Sequence, residues 1–226
     1  MPLLGKAVLL LSFDVAEEAI PEHDEWHTHE HLPERLSIPG FLRGSRWVAS
    51  SANPRYFVMY EVDDLATLES AAYLARLNDP SPWTSKMMSS YRGMTRGFCS
   101  VSGSAGAGIG QVGLLVRLAP AAGRNAPLRA WLLDAVLPGL PARRGIGSAH
   151  LFEAVRTPPM TNEQRIRGAD AGFGWAIFIA GYDEDALDAV ARVDLGDARL
   201  GSQGARAISG APYRMHYTLT DREVRP

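Results

Sequence analysis

Cysteine is nearly absent. Cys99 is the only one in 226 residues, which excludes an internal disulfide. It follows Phe98 in an apolar, alternating stretch and reads as a core residue rather than a reactive thiol. A chain of this length buries enough surface to need neither a disulfide nor a structural metal for a core. An excess of either charge is also missing. Twenty-three basic residues stand against 25 acidic ones, a net charge of −2, and no block of Lys or Arg dominates any stretch. That argues against nucleic acid or an anionic membrane as partner. No apolar run approaches the roughly 20 residues of a membrane span. The short run from Ala7 to Leu11 meets Asp14, Glu17 and Glu18 at once, with no small-residue cleavage site, so it reads as a strand and the protein as cytoplasmic.

What is present is an internal repeat. Trp26 and Trp131 lie 105 positions apart (131 − 26), as do Leu32 and Leu137, Pro33 and Pro138, and Gly40 and Gly145. The same offset lays Leu9-Leu10-Leu11 and Phe13 over Leu114-Leu115-Val116 and Leu118. Further on it grows to 119, setting Asp64 and Leu68 over Asp183 and Leu187, so 14 extra residues (119 − 105) fall within Ala154 to Gly172. Pro158-Pro159 and the charges of that insertion suit a solvated excursion or a lid, the former being the safer reading.

Each half reads as strand, helix, strand, strand, helix, strand. In the first, Lys6–Asp14, Phe41–Ala49, Tyr56–Val62 and Thr95–Val101 have strand composition, the middle two flanking Ser50–Pro54. Glu22–Leu36 has helical spacing, Asp64 caps a helix to about Arg76, and Pro80 to Pro82 breaks it before a further turn from Trp83. The second half repeats this with Gln111–Leu118, Pro127–Leu137, Ile146–Glu153, Phe173–Gly181, Glu184–Val193 and Tyr213–Leu219. The fold class is therefore α+β, two tandem ferredoxin-like βαββαβ repeats at 1–102 and 111–226. The Gly-rich stretch 103–110 has no helix N-terminus behind it, so it reads as a linker rather than a phosphate loop.

Four of the six histidines fall within nine residues, in His23-Asp-Glu-Trp26-His27-Thr-His29-Glu30-His31-Leu-Pro33-Glu34-Arg35. His23, His27 and His31 step by four and share a helix face. Such a ladder could chelate a metal, but it lacks the His-Glu-x-x-His pattern and any distant Cys cluster, so no metal is assigned. At about 100° per residue Trp26, His29, Pro33 and Leu36 group on one side, with Glu30 at its edge. His31 then falls about 140° from Trp26, towards solvent. Pro33 crowds the carbonyl of His29 and bends the chain, leaving His31 in the last turn of the first segment.

The stretch from Trp26 to Arg46, with Glu-His-Leu-Pro-Glu-Arg and Ile-Pro-Gly-Phe-Leu, resembles bacterial proteins of the dimeric α/β-barrel superfamily, EthD-like and related uncharacterised members. Tyr73-Leu74, Pro82-Trp83-Thr84, Thr161-x-Glu163 and Trp175 extend the resemblance along nearly the whole chain. It implies a curved antiparallel sheet with helices on one face, paired with a second such sheet that the duplication supplies from one chain. Relatives include muconolactone-type isomerases, cofactor-free monooxygenases and haem-binding branches. It further implies a pocket between helices and sheet, faced by the histidine of a His-x-Pro motif, here His31. Val136 and Leu140 replace His31 and Arg35 in the second half, so a site of this kind belongs to the first.

The leading expectation is a cofactor-independent enzyme of isomerase, lactone-processing or monooxygenase type, acting on a small, partly apolar carbonyl compound. His31 would move a proton. Arg35 and Tyr60 would stabilise developing negative charge. Trp26, Glu30, Trp83 and Arg92 would line the ligand, Trp83 and Arg92 by family analogy alone. For each the plainer alternative stays open: core packing for Trp26 and Tyr60, a surface ion pair for Glu30, Glu34 and Arg35, a solvated helix end for His31. A non-catalytic binding or scaffold protein is the second reading. Haem binding, through His31, His150 or His216, is the third. The expected partner is a small-molecule ligand, and sheet edges left by the pseudo-dimer could pair again in a homodimer.

Overall fold

A computed structural model describes residues 3–49, 54–156 and 160–224. The elements run β1 (Ala7–Val15), α1 (Ile20–Trp26), a π-helical turn (His27–His31), α2 (Leu32–Leu36), β2 (Phe41–Val48), β3 (Tyr56–Val62), α3 (Ala71–Asn78), α4 (Pro82–Met88) and β4 (Tyr91–Gly106). They continue as β5 (Val112–Pro120), α5 (Asn125–Trp131), a second π-helical turn (Leu132–Val136), β6 (Ile146–Arg156), α6 (Asn162–Arg167), β7 (Trp175–Gly181), α7 (Glu184–Ala189), α8 (Asp197–Ser202), β8 (Ala205–Thr220) and α9 (Asp221–Val224). The fold class is α+β, with two tandem ferredoxin-like repeats. Among the described residues no helix is long and apolar enough to cross a membrane.

The described residues form two compact units. The first draws on Leu4–Cys99, Val155–Gly172 and His216–Pro226. Its sheet has β3 between β1 and β2, with the start of β4 beside β1 and the end of β8 beside β2. Leu9 pairs with Tyr60, and by the two-residue period of a strand Leu9, Leu11 and Phe13 share a face with Val58 and Tyr60. Trp26, Leu32, Leu36, Tyr73, Leu77 and Met88 from the helices close over that face in one buried cluster. Each such side chain contributes roughly 1.5–3 kcal/mol by leaving water.

The second unit draws on Ser100–Ala154 and Phe173–Met215, with Leu3 also assigned to it. Its sheet has β7 between β5 and β6, and its helices bury Leu128, Leu132, Val136, Leu137 and Leu140 against Leu114, Val116, Ile177 and Ile179.

The duplication reaches into details that composition does not show. Gly40 and Gly145 both have φ +89°, and a Cβ on either would come within 2.6 Å of a side-chain atom, so each turn requires glycine. A strand irregularity follows each, at Phe41/Arg43 and Ile146/Ser148. Asp64 and Asp183 each cap the segment that follows, through the backbone N–H groups of Thr67 and Ala186. Both first helices carry a π-helical turn directly after the paired tryptophans, Trp26 and Trp131.

Several expectations are corrected. Strand β4 runs on to Gly106, so Gly103 to Gly106 are strand and only 107–110 remain of the expected linker. The helix expected from Asp64 is a short 3₁₀ segment, Leu65–Glu69, followed by α3 under its own cap, the Ser70 hydroxyl, which accepts from Tyr73 N–H at 3.2 Å. Helix α8 had no counterpart in the sequence reading. Residues 50–53 of the β2–β3 connection, and Pro158-Pro159, lie outside the described residues.

Candidate functional site

The histidine ladder is buried, not solvated. His23, His27 and His31 are all inside, and Arg35 continues the same line one turn further. The π-helical turn is the cause. A turn closed by i→i+5 hydrogen bonds holds an extra residue and rotates everything after it relative to a regular helix. His31 is thereby carried onto Trp26, five residues back, with ring centroids 4.4 Å apart. His29 is turned out to solvent beside Glu25. The expected phase of both residues is thus reversed. Centroids of His23, His27 and His31 step at 5.6 Å each time. Among the described residues no three His, Cys, Asp or Glu side chains converge as metal ligands would.

Beneath the ladder lies a cavity whose wall includes His27, His31, Arg35, Tyr60, Tyr73 and Tyr91, with Leu9, Leu11, Phe13 and Val58 from the sheet. The space open to the centre of a water is about 30 Å³, room for one or two waters. A ligand with a ring must therefore displace side chains, and Leu77, Met88 and Met94 on the wall are the adaptable ones.

The insertion completes this wall, which corrects its reading as a solvated excursion. Thr161 and Gln164 form a capping box that starts α6, and Glu163, in its first turn, is buried. Arg35 binds Glu163 through one guanidinium nitrogen and Glu34, at 3.0 Å, through the other. Arg167 lies 3.7 Å from Glu163 and 2.8 Å from Asp170, which also faces Arg96 at 3.7 Å. Charges this deeply buried persist only because they are paired. Burial disfavours the charge on Arg35, yet Glu163, with Tyr73 and Glu34, outweighs it and raises its pKa.

Four polar atoms of this wall are buried without a hydrogen-bond partner: Nδ1 of His27, Nδ1 of His31, the Tyr60 hydroxyl, and one terminal nitrogen of Arg96. Buried polar atoms are nearly always satisfied, by protein, water or ligand. Burial, with Arg35 second, pulls the His31 pKa well below 6.5, so the ring is neutral at neutral pH. Burial likewise pushes the Tyr60 phenol up against the pull of Arg35, keeping it a hydrogen-bond donor.

Of the residues expected at the site, His31, Arg35 and Tyr60 meet on this wall. Trp26 stands behind it. Its indole N–H donates to Thr84 and to Glu30, both at 3.2 Å, while Ser81 and Thr84 also donate to Glu30. Trp26 and Glu30 thus fasten α1 to α4 and hold the ring on which His31 rests. Trp83 and Arg92 are not brought to the cavity. The Trp83 indole donates to Glu22 at 3.1 Å, and the exposed Arg92 folds back on the carbonyls of Ser89 and Tyr91. Sequence reasoning missed Tyr73, Tyr91, Arg96, Glu163 and Arg167 as cavity residues; the Tyr73-Leu74 and Thr161-x-Glu163 motifs hinted at two of them.

No family model and no curated protein matches the chain. Solved structures do. A protein described as anthrone oxidase-like superposes with a TM-score of 0.69 at 11% identity, over 99% of this chain and 97% of its own. A Fusobacterium nucleatum subsp. nucleatum protein with a provisional monooxygenase assignment gives 0.62 at 8% identity, over 96% of both chains. A mutant chlorite dismutase from Candidatus Nitrospira defluvii gives 0.58 at 8% identity, over 98% of this chain and 94% of its own. The chain shares with these proteins a dimeric α/β-barrel, ferredoxin-like fold.

Identities this low carry the fold of the dimeric α/β-barrel proteins and none of their chemistry. Haem, expected as a third reading, does not fit beside His31. Beside His31 the space is too small for a macrocycle, and the wall includes the Arg35–Glu163–Arg167 network. His150 has its Nδ1 at 2.8 Å from the Ser104 hydroxyl, and His216 takes a hydrogen bond from Arg46 at 3.2 Å.

Proposed function

We propose that the first repeat is a cofactor-independent enzyme that removes a proton from the carbon next to a carbonyl group in a small, partly apolar metabolite. The observation that carries this reading is the pair of buried, unpartnered atoms on one cavity wall, His31 Nδ1 and the Tyr60 hydroxyl. A neutral imidazole is a proton acceptor, and a phenol that stays protonated is a donor to the enolate oxygen. Charge on His31 is costly in this environment, and the enolate formed in the same step offsets it. Arg35 is already bound to two carboxylates, so it contributes a fixed positive field beside His31 rather than a free fork for the ligand. Reprotonation of the enolate at another carbon is isomerisation, and its reaction with dioxygen is oxygenation. The name of the anthrone oxidase-like neighbour fits the second course, because anthrone is an enolisable aromatic ketone. The ligand is a compound of one to three rings admitted by movement of the methionines.

Exchange of carbon-bound hydrogen for deuterium in heavy water tests this without knowing the product. Wild type is expected to accelerate exchange in β-tetralone and anthrone. His31→Ala is expected to lose about 10²–10⁴-fold, the range of a general base, and Tyr60→Phe about ten-fold or more. Equal exchange with wild type and His31→Ala would overturn the reading. A thermal shift that needs His31 without any exchange would support a binding protein instead.

A further inference from the structure

We infer that Tyr91 is a second proton-transfer residue of this cavity, backed by His23 and Asp24 as a carboxylate–imidazole–phenol relay. The inference rests on the cavity being a reaction site and adds a group that the His31 and Tyr60 pair does not supply.

The relay is a continuous line of contacts. Asp24 Oδ1 lies 3.3 Å from His23 Nδ1, and His23 Nε2 lies 3.2 Å from the Tyr91 hydroxyl. His23 is fully buried, Asp24 reaches solvent with 22% of its side chain exposed, and Tyr91 is on the cavity wall. A carboxylate can only accept, so Nδ1 carries the hydrogen, Nε2 presents its lone pair, and Tyr91 donates to it. Tyr56 holds Asp24 Oδ1 with a second hydrogen bond at 2.9 Å, and Arg46 binds the Asp24 carbonyl at 3.1 Å. Phe13 stacks on Tyr91 at 4.4 Å and fixes the phenol.

The ladder itself is no such conduit. Nδ1 of His27 and Nδ1 of His31 bond to nothing, so no hydrogen bond through them passes a proton from ring to ring. Of the three ladder histidines, His23 is the one with a carboxylate beside it. Burial lowers its pKa and Asp24 works against that, whereas His27 and His31 have only cationic and imidazole neighbours and fall well below 6.5. Burial raises Asp24 in turn, but His23, Arg46 and Tyr56 outweigh it and keep it ionised. The step balances as in a nucleophile–imidazole–carboxylate triad. His31 acts on one carbon next to the carbonyl and Tyr91 on the other, where the ligand's C–H bond breaks and leaves its electron pair as the enolate. The proton joins the Tyr91 oxygen while the proton of Tyr91 passes to His23 Nε2. The imidazolium so formed is held by Asp24.

Two measurements test it. In full-length protein labelled with ¹⁵N-histidine, His23 is expected as the Nδ1–H tautomer at pH 7.5, and the Nε2–H tautomer would overturn the relay. In the deuterium exchange of β-tetralone, followed separately at its two α carbons, Tyr91→Phe and His23→Gln are each expected to lower the rate at one carbon at least ten-fold while thermal unfolding shows them folded. The acid limb of the wild-type pH–rate profile should follow His23, which is faced by Asp24 and His27 on its own helix, Arg46 and Tyr56 on β2 and β3, Tyr91 on β4 and His216 on β8. Asp24→Asn should move that limb to lower pH, which a merely structural role for Asp24 would not do. Exchange that is abolished by His31→Ala but keeps its rate and its limb in Tyr91→Phe removes the relay and leaves the proposed function standing. No exchange by wild type removes both.

Discussion

The first helix of each repeat is built alike and furnished oppositely. Both turn through a π-helical segment after a tryptophan, and both bury every fourth side chain. In the first repeat those side chains are His23, His27, His31 and Arg35. In the second, 105 residues on, they are Leu128, Leu132, Val136 and Leu140. The strand beneath changes with them: Leu9 pairs with Tyr60, and its counterpart Leu114 pairs with Ile179. One backbone therefore carries either a polar wall with unpartnered atoms or a filled apolar core. An apolar core at these positions evidently satisfies the fold, so the polar set is a departure that costs stability, and departures of that kind mark functional sites. The second repeat also supplies the first. Its insertion sends Glu163 and Arg167 to the cavity wall, which the first repeat's own sequence does not complete.

The comparison breaks most sharply at Glu163. Glu163→Ala leaves Arg35 buried without its main partner, and removing one member of a buried pair costs about 3–5 kcal/mol. Urea unfolding should show that loss, with Glu163→Gln milder because an amide oxygen still accepts from the guanidinium. A loss below about 1 kcal/mol would mean that Arg35 finds water or Glu34 sufficient, and the insertion would no longer count as part of the wall. On the apolar side, Leu132→Ala empties a filled position and should cost about 2–5 kcal/mol by the same measurement. A negligible cost there would show that the second repeat is loosely packed, and the contrast between the two helices would lose its meaning.

Much of this contrast was legible in the sequence, and what was not has identifiable causes. The offset of 105 and its growth to 119 revealed the duplication, because duplicated turns keep their Gly and Pro, and caps keep their Asp. The replacement of His31 and Arg35 by Val136 and Leu140 pointed to the first repeat as the polar one. Helical phase failed at His29 and His31 because a π-helical turn cannot be seen in a 3.6-residue period. Glu163 was hidden for a different reason. It is brought to Arg35 by tertiary structure across 128 positions of sequence, and a charged insertion reads as solvated by default. Trp83 and Arg92 were placed at the ligand by analogy alone, and the analogy did not survive the geometry.

Acid separates the repeats next. His27 and His31 are held neutral in the folded chain with pKa values well below 6.5, and burial is the first cause for both. The unfolded chain protonates them near 6.5, so below that pH it binds more protons than the folded chain and stability falls as pH falls. Each histidine contributes about 1.4 kcal/mol per pH unit until its folded pKa is reached. Denaturation curves between pH 7.5 and 5 should show this slope, flat above about 7.5 and steepening below 6.5. A stability independent of pH across that window would mean that the rings are hydrated and titrate normally. Leu128, Leu132, Val136 and Leu140 have nothing to titrate, so between the two helix faces compared this part of the slope belongs to the first.

The smallest expected effect is the most direct interchange, His27→Leu, which places the residue of Leu132 at its equivalent in the first repeat. His27 buries an unpartnered Nδ1, and a buried unsatisfied polar atom costs about 1–3 kcal/mol. An apolar side chain of similar size removes that cost and loses no hydrogen bond at that atom. Stability at pH 7.5 should therefore be unchanged or raised by about 1 kcal/mol, and the acid slope should shrink by one proton. A loss of about 2 kcal/mol or more would show that a bound water already satisfies the ring. The polar wall would then be an intact hydrated network rather than an unfinished one, and the unpartnered atoms of His31 and Tyr60 would have to be read the same way.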